Sequence, residues 1–172
     1  MGLIWITILL WYWKMKEKLK NFMNNAKLLN DNLNIIPLLY GSLGLEVVAA
    51  SNLNADDIDI LIPTLYVKGP KWEEFKAFLE SNGYVLIDSK EHTFRKDNID
   101  YSYSCLEELE SFVDILVKDI RVINDDVSYL LLSLEQYLKV YEKSALDGYR
   151  MNKKEKKDLE KIKLIKSLLG RE

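Results

Sequence analysis

PLLYGSLGLEVVAASNLNADDIDILIP, residues 37–63, is the stretch that decides the fold. Its last part alternates strictly, so a β-strand over 57–62 places Asp57 and Asp59 on one face and isoleucines on the other. Like charges on one face repel and strands usually avoid aspartate, so folding alone does not explain the pair. A divalent cation relieves the repulsion, and Mg²⁺ (or Mn²⁺) suits one or two carboxylates together with substrate phosphates. The strand therefore predicts a metal site at Asp57 and Asp59.

Upstream of this strand, a short apolar segment runs directly into a glycine and a serine. Residues 35–40 are predicted to form a buried strand that ends at Gly41 and Ser42. Glycine lets the backbone approach a phosphate closely, and the serine hydroxyl and nearby N–H groups can donate to it. A brief helix is predicted over 44–50, and its N-terminus favours an anion. These features predict a phosphate site beside the metal site.

A third carboxylate is expected where phosphoryl chemistry uses two metal ions. The predicted strand over residues 98–104, NIDYSYS, supplies one candidate. Alternation places Asp100 on a polar face of this strand together with two serines, as an active-site aspartate requires.

The remaining segments predict an α+β domain with a mixed β-sheet flanked by helices and a helical C-terminal part, about 131–172. Helical periodicity and turn residues mark these elements. Helices are predicted over 14–30, 72–81, 131–141 and 153–169, a strand over 84–87, and a hairpin over 92–95 and 99–104.

Length and composition favour a single globular domain. The chain has 172 residues, of which 48% are apolar and 30% charged, which is an ordinary balance for one domain with its own core. The formal net charge of −3 gives no reason to expect DNA binding. One cysteine, Cys105, excludes an internal disulfide and fits a reducing compartment, so we expect a cytoplasmic protein.

The first thirteen residues, MGLIWITILLWYW, are almost wholly apolar and four lysines follow them closely. The run is shorter than the roughly 20 residues that a membrane-spanning helix needs, and it lacks the features of a secretory signal. We treat 1–13 as an extension of a single domain over 14–172. Two alternatives stay open: a marginal membrane contact, and upstream sequence included by a start-site error, with Met15 and Met23 as later candidate starts.

The order of a hydrophobic strand, Gly-Ser, a short helix and Asp-x-Asp followed by apolar residues resembles the nucleotidyltransferase superfamily. That superfamily includes polymerase β-like enzymes, antibiotic nucleotidyltransferases and the minimal nucleotidyltransferases. The resemblance is specific over residues 38–61 and loose over 35–169. It implies that Gly41 and Ser42 hold a triphosphate and that Asp57 and Asp59 bind metal ions.

The resemblance also implies roles for later residues. Asp100 is the implied third carboxylate, which binds metal and deprotonates the attacking hydroxyl. Family members often carry a lysine on a late helix followed by a KDLE-like segment, so Lys139 is a candidate phosphate contact and Asp158 a structural helix residue. Independently of the resemblance, Arg150, next to Tyr149 in a turn, is a further candidate contact because the arginine fork suits phosphate, with an ordinary capping or surface role as the alternative.

The function implied is Mg²⁺-dependent transfer of a nucleoside monophosphate from a nucleoside triphosphate to a hydroxyl. The acceptor stays open among a small molecule, a protein side chain and an RNA end. The alternative is a catalytically silent module that binds a nucleotide or a protein partner on the same fold. Convergence of Asp57, Asp59 and Asp100 on one point would favour the enzyme.

Overall fold

The computed structural model describes residues 2–146 and 153–171, which form helices on both sides of a mixed sheet. In chain order the elements are α1 (Gly2–Leu33), β1 (Leu38–Leu39), α2 (Gly41–Ala49), β2 (Ile58–Ile62), α3 (Trp72–Ser81), β3 (Val85–Asp88), β4 (Thr93–Lys96), β5 (Ile99–Cys105), α4 (Glu108–Val113), β6 (Arg121–Asn124), β7 (Ser128–Leu131), α5 (Leu134–Leu146) and α6 (Lys153–Leu168). Short 3₁₀ turns, Thr64–Tyr66 and Val117–Asp119, follow β2 and α4.

The sheet places the Asp-x-Asp strand near its centre. Its strand order, within the part of the chain that the structure describes, is β3-β4-β5-β2-β1-β7-β6. β2 runs antiparallel to β1 on one side and parallel to β5 on the other. β1 also pairs with β7 in parallel, while the outer pairs β3–β4, β4–β5 and β6–β7 are antiparallel. The predicted α+β class is confirmed.

One face of the sheet packs on α1 and α3. The isoleucines of β2 lie there, fully buried, as their alternation with the aspartates predicts. Aromatic rings fill this core edge to face, with the Phe75 and Tyr103 ring centroids 5.1 Å apart. Asn25 of α1 is wholly buried in it and donates from its amide to the hydroxyls of Tyr84 and Tyr103, at 3.0 and 2.7 Å.

The opposite face, which carries Asp59 and Leu61, packs on α4, α5 and α6. Tyr137 is fully buried in this second core, and its hydroxyl donates to the Leu39 carbonyl at 3.2 Å. Gly44 makes room for that hydroxyl, since a Cβ there would overlap both Tyr137 and the Leu39 carbonyl. The start of α2 is thereby held against α5.

Several boundaries differ from the predictions. α3 spans the predicted residues, but α2 begins at Gly41, three residues early, and β1 shrinks to two residues. The segment that periodicity assigned to a helix from residue 131 instead begins with the end of β7, after a β6–β7 hairpin that was not predicted. The apolar residues at the end of β7 form a continuous run, and periodicity alone does not distinguish a buried strand of that kind from a buried helix.

Helix α1 is continuous from residue 2 to residue 33, so the apolar N-terminal run and the predicted helix over 14–30 form one element. It ends where Asn34 takes a left-handed conformation, with φ of 54°, and Ile35 N–H returns to the Leu29 carbonyl. In the residues that the structure describes, no helix combines the length and apolar content needed to cross a membrane.

Candidate functional site

A cleft of about 470 Å³ lies on the aspartate-bearing face of the sheet, between β2 and the helices α5 and α6. The four residues that the Asp-x-Asp and Gly-Ser motifs contribute all line it: Gly41, Ser42, Asp57 and Asp59. The structure therefore brings together the two halves of the motif, which are separated by fourteen residues in the sequence.

The backbone sets the distance between the two halves. Tyr40 N–H donates to the Asp59 carbonyl at 2.9 Å, which continues the β1–β2 ladder up to the motif. Gly41 then takes φ of +62°, in the left-handed region that favours glycine, and starts α2. Any Cβ at this position would overlap the Asp59 carboxylate. Glycine is thus required here for the close approach of the backbone to that carboxylate.

The loop that leads to Asp57 is held by a buried carboxylate of α2. Glu46 is 2% exposed, and its Oε1 accepts from the backbone N–H groups of Leu53 and Ala55, at 2.9 and 3.0 Å. From the other side, the Lys18 ammonium of α1 donates to the Ala55 carbonyl. Both backbone groups of Ala55 are therefore bound, which fixes the chain two residues before Asp57.

Two tyrosines form the inner wall of the cleft. Burial raises the pKa of Tyr40 well above its usual value, and the charges of Asp59 and Asp158 raise it further. Burial also raises the pKa of Tyr141, with added contributions from Tyr40, Asp158 and Asp59. Both phenols consequently stay neutral at physiological pH and can act as hydrogen-bond donors inside the cleft.

Helix α6 contributes one acidic and one basic side chain, Asp158 and Lys161, to the opposite wall. Asp158 is 6% exposed and accepts from the Ser144 hydroxyl at 3.0 Å. Lys161, one helical turn later, lies 3.8 Å from the Asp158 carboxylate and 4.7 Å from the centroid of the Tyr141 ring. Asp158 was expected to be a structural helix residue; the structure shows it buried and also lining the cleft.

Asp100 lies on the predicted polar face of β5, but outside the residues that line the cleft. Both its carboxylate oxygens accept from Arg95 of β4, at 2.6 and 2.9 Å. This pairing lowers the pKa of Asp100. The register of β2 and β5 instead places Ser102 opposite Asp59. Asp100 thus pairs with Arg95 and does not line the cleft, and its ascribed role stays a prediction.

Lys139 is likewise placed away from the cleft. It is exposed on α5, whose cleft-lining residues are Val140, Tyr141 and Ser144. The lysine that does line the cleft is Lys161, which sequence reasoning missed. Its signal was its place one turn after Asp158, on the side of α6 that carries Ile162 and Ile165 into the second core. Tyr149 and Arg150 lie outside the described residues.

The two carboxylates of the cleft suit a divalent cation that also binds the substrate, rather than a metal site made of protein ligands alone. Within residues 2–146 and 153–171, no group of three or more His, Cys, Asp or Glu side chains is arranged to hold a metal ion. Asp57 and Asp59 supply two carboxylates at the mouth of a cleft that can admit phosphates. Mg²⁺ commonly binds in this way, since water and phosphate oxygens complete its octahedron.

Comparisons with known proteins agree with this architecture. No protein-family model matches the chain. A crystal structure of an antigenic nucleotidyltransferase-like protein from Paracoccidioides brasiliensis superposes with a TM-score of 0.58, at 14% identity, over 88% of this chain and 77% of the other. That similarity shows a nucleotidyltransferase-like fold.

A relative in sequence is the uncharacterized protein YnaI of Bacillus subtilis (strain 168). The two are 44% identical over 149 residues, which cover 86% of this chain and 95% of YnaI. Identity of this extent over nearly the whole of both chains means that they share one fold. The chain therefore belongs to the same family as YnaI of Bacillus subtilis, and it has a nucleotidyltransferase-like fold.

Proposed function

We propose that the chain binds a nucleoside triphosphate together with Mg²⁺ (or Mn²⁺) and transfers the nucleoside monophosphate to a hydroxyl of an acceptor. The observation that carries the proposal is the packing of Gly41 against Asp59 at the entrance of the cleft. This contact places the N-terminus of α2, which begins at Gly41, next to a pair of carboxylates that folding alone does not require. The acceptor stays open among a small molecule, a protein side chain and an RNA end.

Each part of the cleft has a role in this proposal. Asp57 and Asp59 would hold the cation, which when bound neutralises phosphate charge and polarises the reacting phosphoryl group. The backbone N–H groups at the start of α2 and the Ser42 hydroxyl donate to phosphate oxygens. Lys161, held by Asp158 and by the ring of Tyr141, contributes a positive charge from the facing helix. Catalysis would come from positioning and charge neutralisation.

The catalytically silent alternative is favoured by a specific observation. The resemblance assigns proton removal from the acceptor to Asp100, and the bidentate pairing with Arg95 opposes that role. A carboxylate that is already neutralised by a guanidinium, with a lowered pKa, is a weak proton acceptor. A module of this kind would bind the nucleotide and release it unchanged, or bind a protein partner.

The first experiment is calorimetric titration of the full chain with ATP, GTP, CTP and UTP in the presence of Mg²⁺. We expect metal-dependent binding that an Asp57→Asn/Asp59→Asn double variant loses. Asp56→Asn is the matched control, because Asp56 is an exposed carboxylate next to the pair and is not among the residues that line this cleft. Absence of binding of all four nucleotides by the folded wild-type chain would contradict the proposal.

Turnover separates the two hypotheses. With a bound nucleotide identified, the wild-type chain is incubated with it and with small hydroxylated compounds, protein and RNA, and release of pyrophosphate is measured. Release that depends on acceptor and on Asp57 supports the transferase. Binding without release across all three acceptor classes supports the silent module. Asp100→Asn extends the comparison, since loss of turnover with intact binding would assign the proton acceptor to Asp100 despite its pairing.

A further inference from the structure

Phe112 is a phenylalanine that belongs to neither hydrophobic core. Of the five phenylalanines, all within the described residues, three are fully buried and Phe78 packs against the first core. Phe112, on α4, is only partly buried and belongs to neither core cluster. It lines the cleft that holds Asp57 and Asp59. A large apolar ring that belongs to neither core and lines the cleft is available to a ligand.

A second depression of about 470 Å³ continues the cleft along α4. The two share Tyr40, Leu61, Ser104 and Phe112, so they form one continuous groove. Leu61 follows Asp59 by two residues, roughly 7 Å along the strand at about 3.4 Å per residue. Ser104 is its register partner on β5. The groove therefore begins about one sugar's length beyond the carboxylates.

The chemistry of this extension suits a flat heteroaromatic group. Phe112 offers apolar surface, Leu61 is buried beneath the groove, and Ser104 is exposed and lines it. Ser111, next to Phe112 on α4, adds a second hydroxyl at the rim. Bases stack on aromatic side chains through their faces and form hydrogen bonds through their edges. Glu108 also lines the groove, where its pairing with Lys68 compensates its charge.

We infer that the base of the nucleotide stacks on Phe112 in the groove between α4 and the β2–β5 strands, with Ser104 at the polar edge of the base. This inference rests on the proposed function, since it takes the triphosphate and its metal to lie at Asp57 and Asp59. Phe112 then determines how strongly the protein distinguishes a nucleoside triphosphate from a bare polyphosphate.

The test compares inorganic tripolyphosphate with a nucleoside triphosphate, both with Mg²⁺, by calorimetry on the full chain. We expect the wild type to bind the best of the four nucleotides at least tenfold more tightly than tripolyphosphate. Phe112→Ala should lose about tenfold of the nucleotide affinity and keep the tripolyphosphate affinity, whereas Phe112→Trp should keep both. Phe78→Ala is the matched control, because it removes a partly buried phenylalanine from the other face of the sheet.

The outcomes distinguish this inference from the proposed function. Equal wild-type affinity for tripolyphosphate and nucleotide, or a Phe112→Ala variant with unchanged nucleotide affinity, would overturn the base site while leaving the phosphate site in place. Failure of the wild type to bind either compound would refute the proposed function itself. Circular dichroism and thermal unfolding confirm that each variant is folded, and Phe112→Leu, which keeps an apolar side chain but removes the ring, provides the test if Phe112→Ala does not fold.

Discussion

Gly41 lies against the carboxylate of Asp59 so closely that the side chain of any other residue would occupy the space of the aspartate Oδ2. Gly41→Ala therefore combines two effects, a left-handed backbone strain of about 1–2 kcal/mol and displacement of Asp59. We expect the variant to fold with reduced stability and to lose at least tenfold of its affinity for Mg²⁺–nucleotide. Urea denaturation and calorimetry measure the two effects separately.

Gly83→Ala is the control for the backbone part of that prediction. Gly83 also has a positive φ, of +85°, but a Cβ there meets only the end of the Lys96 side chain, at 3.8 Å. A comparable loss of stability with unchanged nucleotide affinity is expected. If Gly41→Ala and Gly83→Ala bind nucleotide equally well, Asp59 is not a ligand-binding residue.

Replacement of Glu46 tests whether the loop before Asp57 depends on one buried carboxylate. Glu46→Ala leaves the N–H groups of Leu53 and Ala55 without their acceptor, and each hydrogen bond to a charged group contributes about 1.5–3 kcal/mol. We expect a loss of about 3 kcal/mol in the free energy of unfolding. Glu46→Gln retains an oxygen acceptor, so its loss should be about 1 kcal/mol. Equal losses in the two variants would show that the carboxyl oxygen does not hold the loop.

Substitution of Lys161 is expected to weaken phosphate binding, whereas substitution of Lys139 is expected to leave it unchanged. Lys161→Met keeps the apolar stem against Tyr141 and removes the charge in the cleft. We expect affinity for Mg²⁺–tripolyphosphate to fall about tenfold, equivalent to about 1.4 kcal/mol. Lys139→Met removes an exposed charge on α5 outside the cleft, and its affinity should match that of the wild type. The reverse result would restore Lys139 as the phosphate contact.

His92 gives a prediction for pH dependence, and as the single histidine it has an unambiguous NMR signal. Burial lowers its pKa from the usual 6.5, with a smaller contribution from the Lys68 charge. The folded state thus binds the proton more weakly than the unfolded chain. The free energy of unfolding should therefore fall as pH drops below 6.5 and level off below the folded pKa.

Titration of the His92 ring proton measures the folded pKa directly. A value at or above 6.5 would contradict a pKa lowered by the partial burial of His92, whose ring centroid lies 4.7 Å from that of Trp72. His92→Asn is a suitable control for stability, because asparagine tolerates the left-handed φ of 49° at this position. In that variant the loss of stability between pH 6.5 and the folded pKa should disappear.

The sequence was sufficient for the strand that carries the aspartates. Its strict alternation predicts that the isoleucines face a core and that Asp59 faces the other way, and β2 adopts this arrangement. The strand was predicted from residue 57, whereas β2 begins at Ile58, so Asp57 lies in a bend just before it. The glycine and serine before it line the same cleft as the aspartates, and the phosphate-binding role assigned to them stays a prediction.

The third carboxylate and the phosphate lysine depend on information that strand and helix patterns do not contain. Alternation shows which face of β5 carries Asp100, but the β2–β5 register, which puts Ser102 beside Asp59, follows from pairing between residues 43 positions apart in the sequence. The choice of Arg95 as partner likewise follows from the β4–β5 register. Lys161 reaches the cleft only through the packing of α6 on α5, which no local pattern specifies.

Ala55 is bound on both sides, its N–H by Glu46 of α2 and its carbonyl by Lys18 of α1. Helix α1 therefore acts on the position of Asp57, although it lies outside the cleft. Removal of the Lys18 ammonium would therefore release the Ala55 carbonyl and loosen the chain that leads to Asp57, at a distance from the cleft itself.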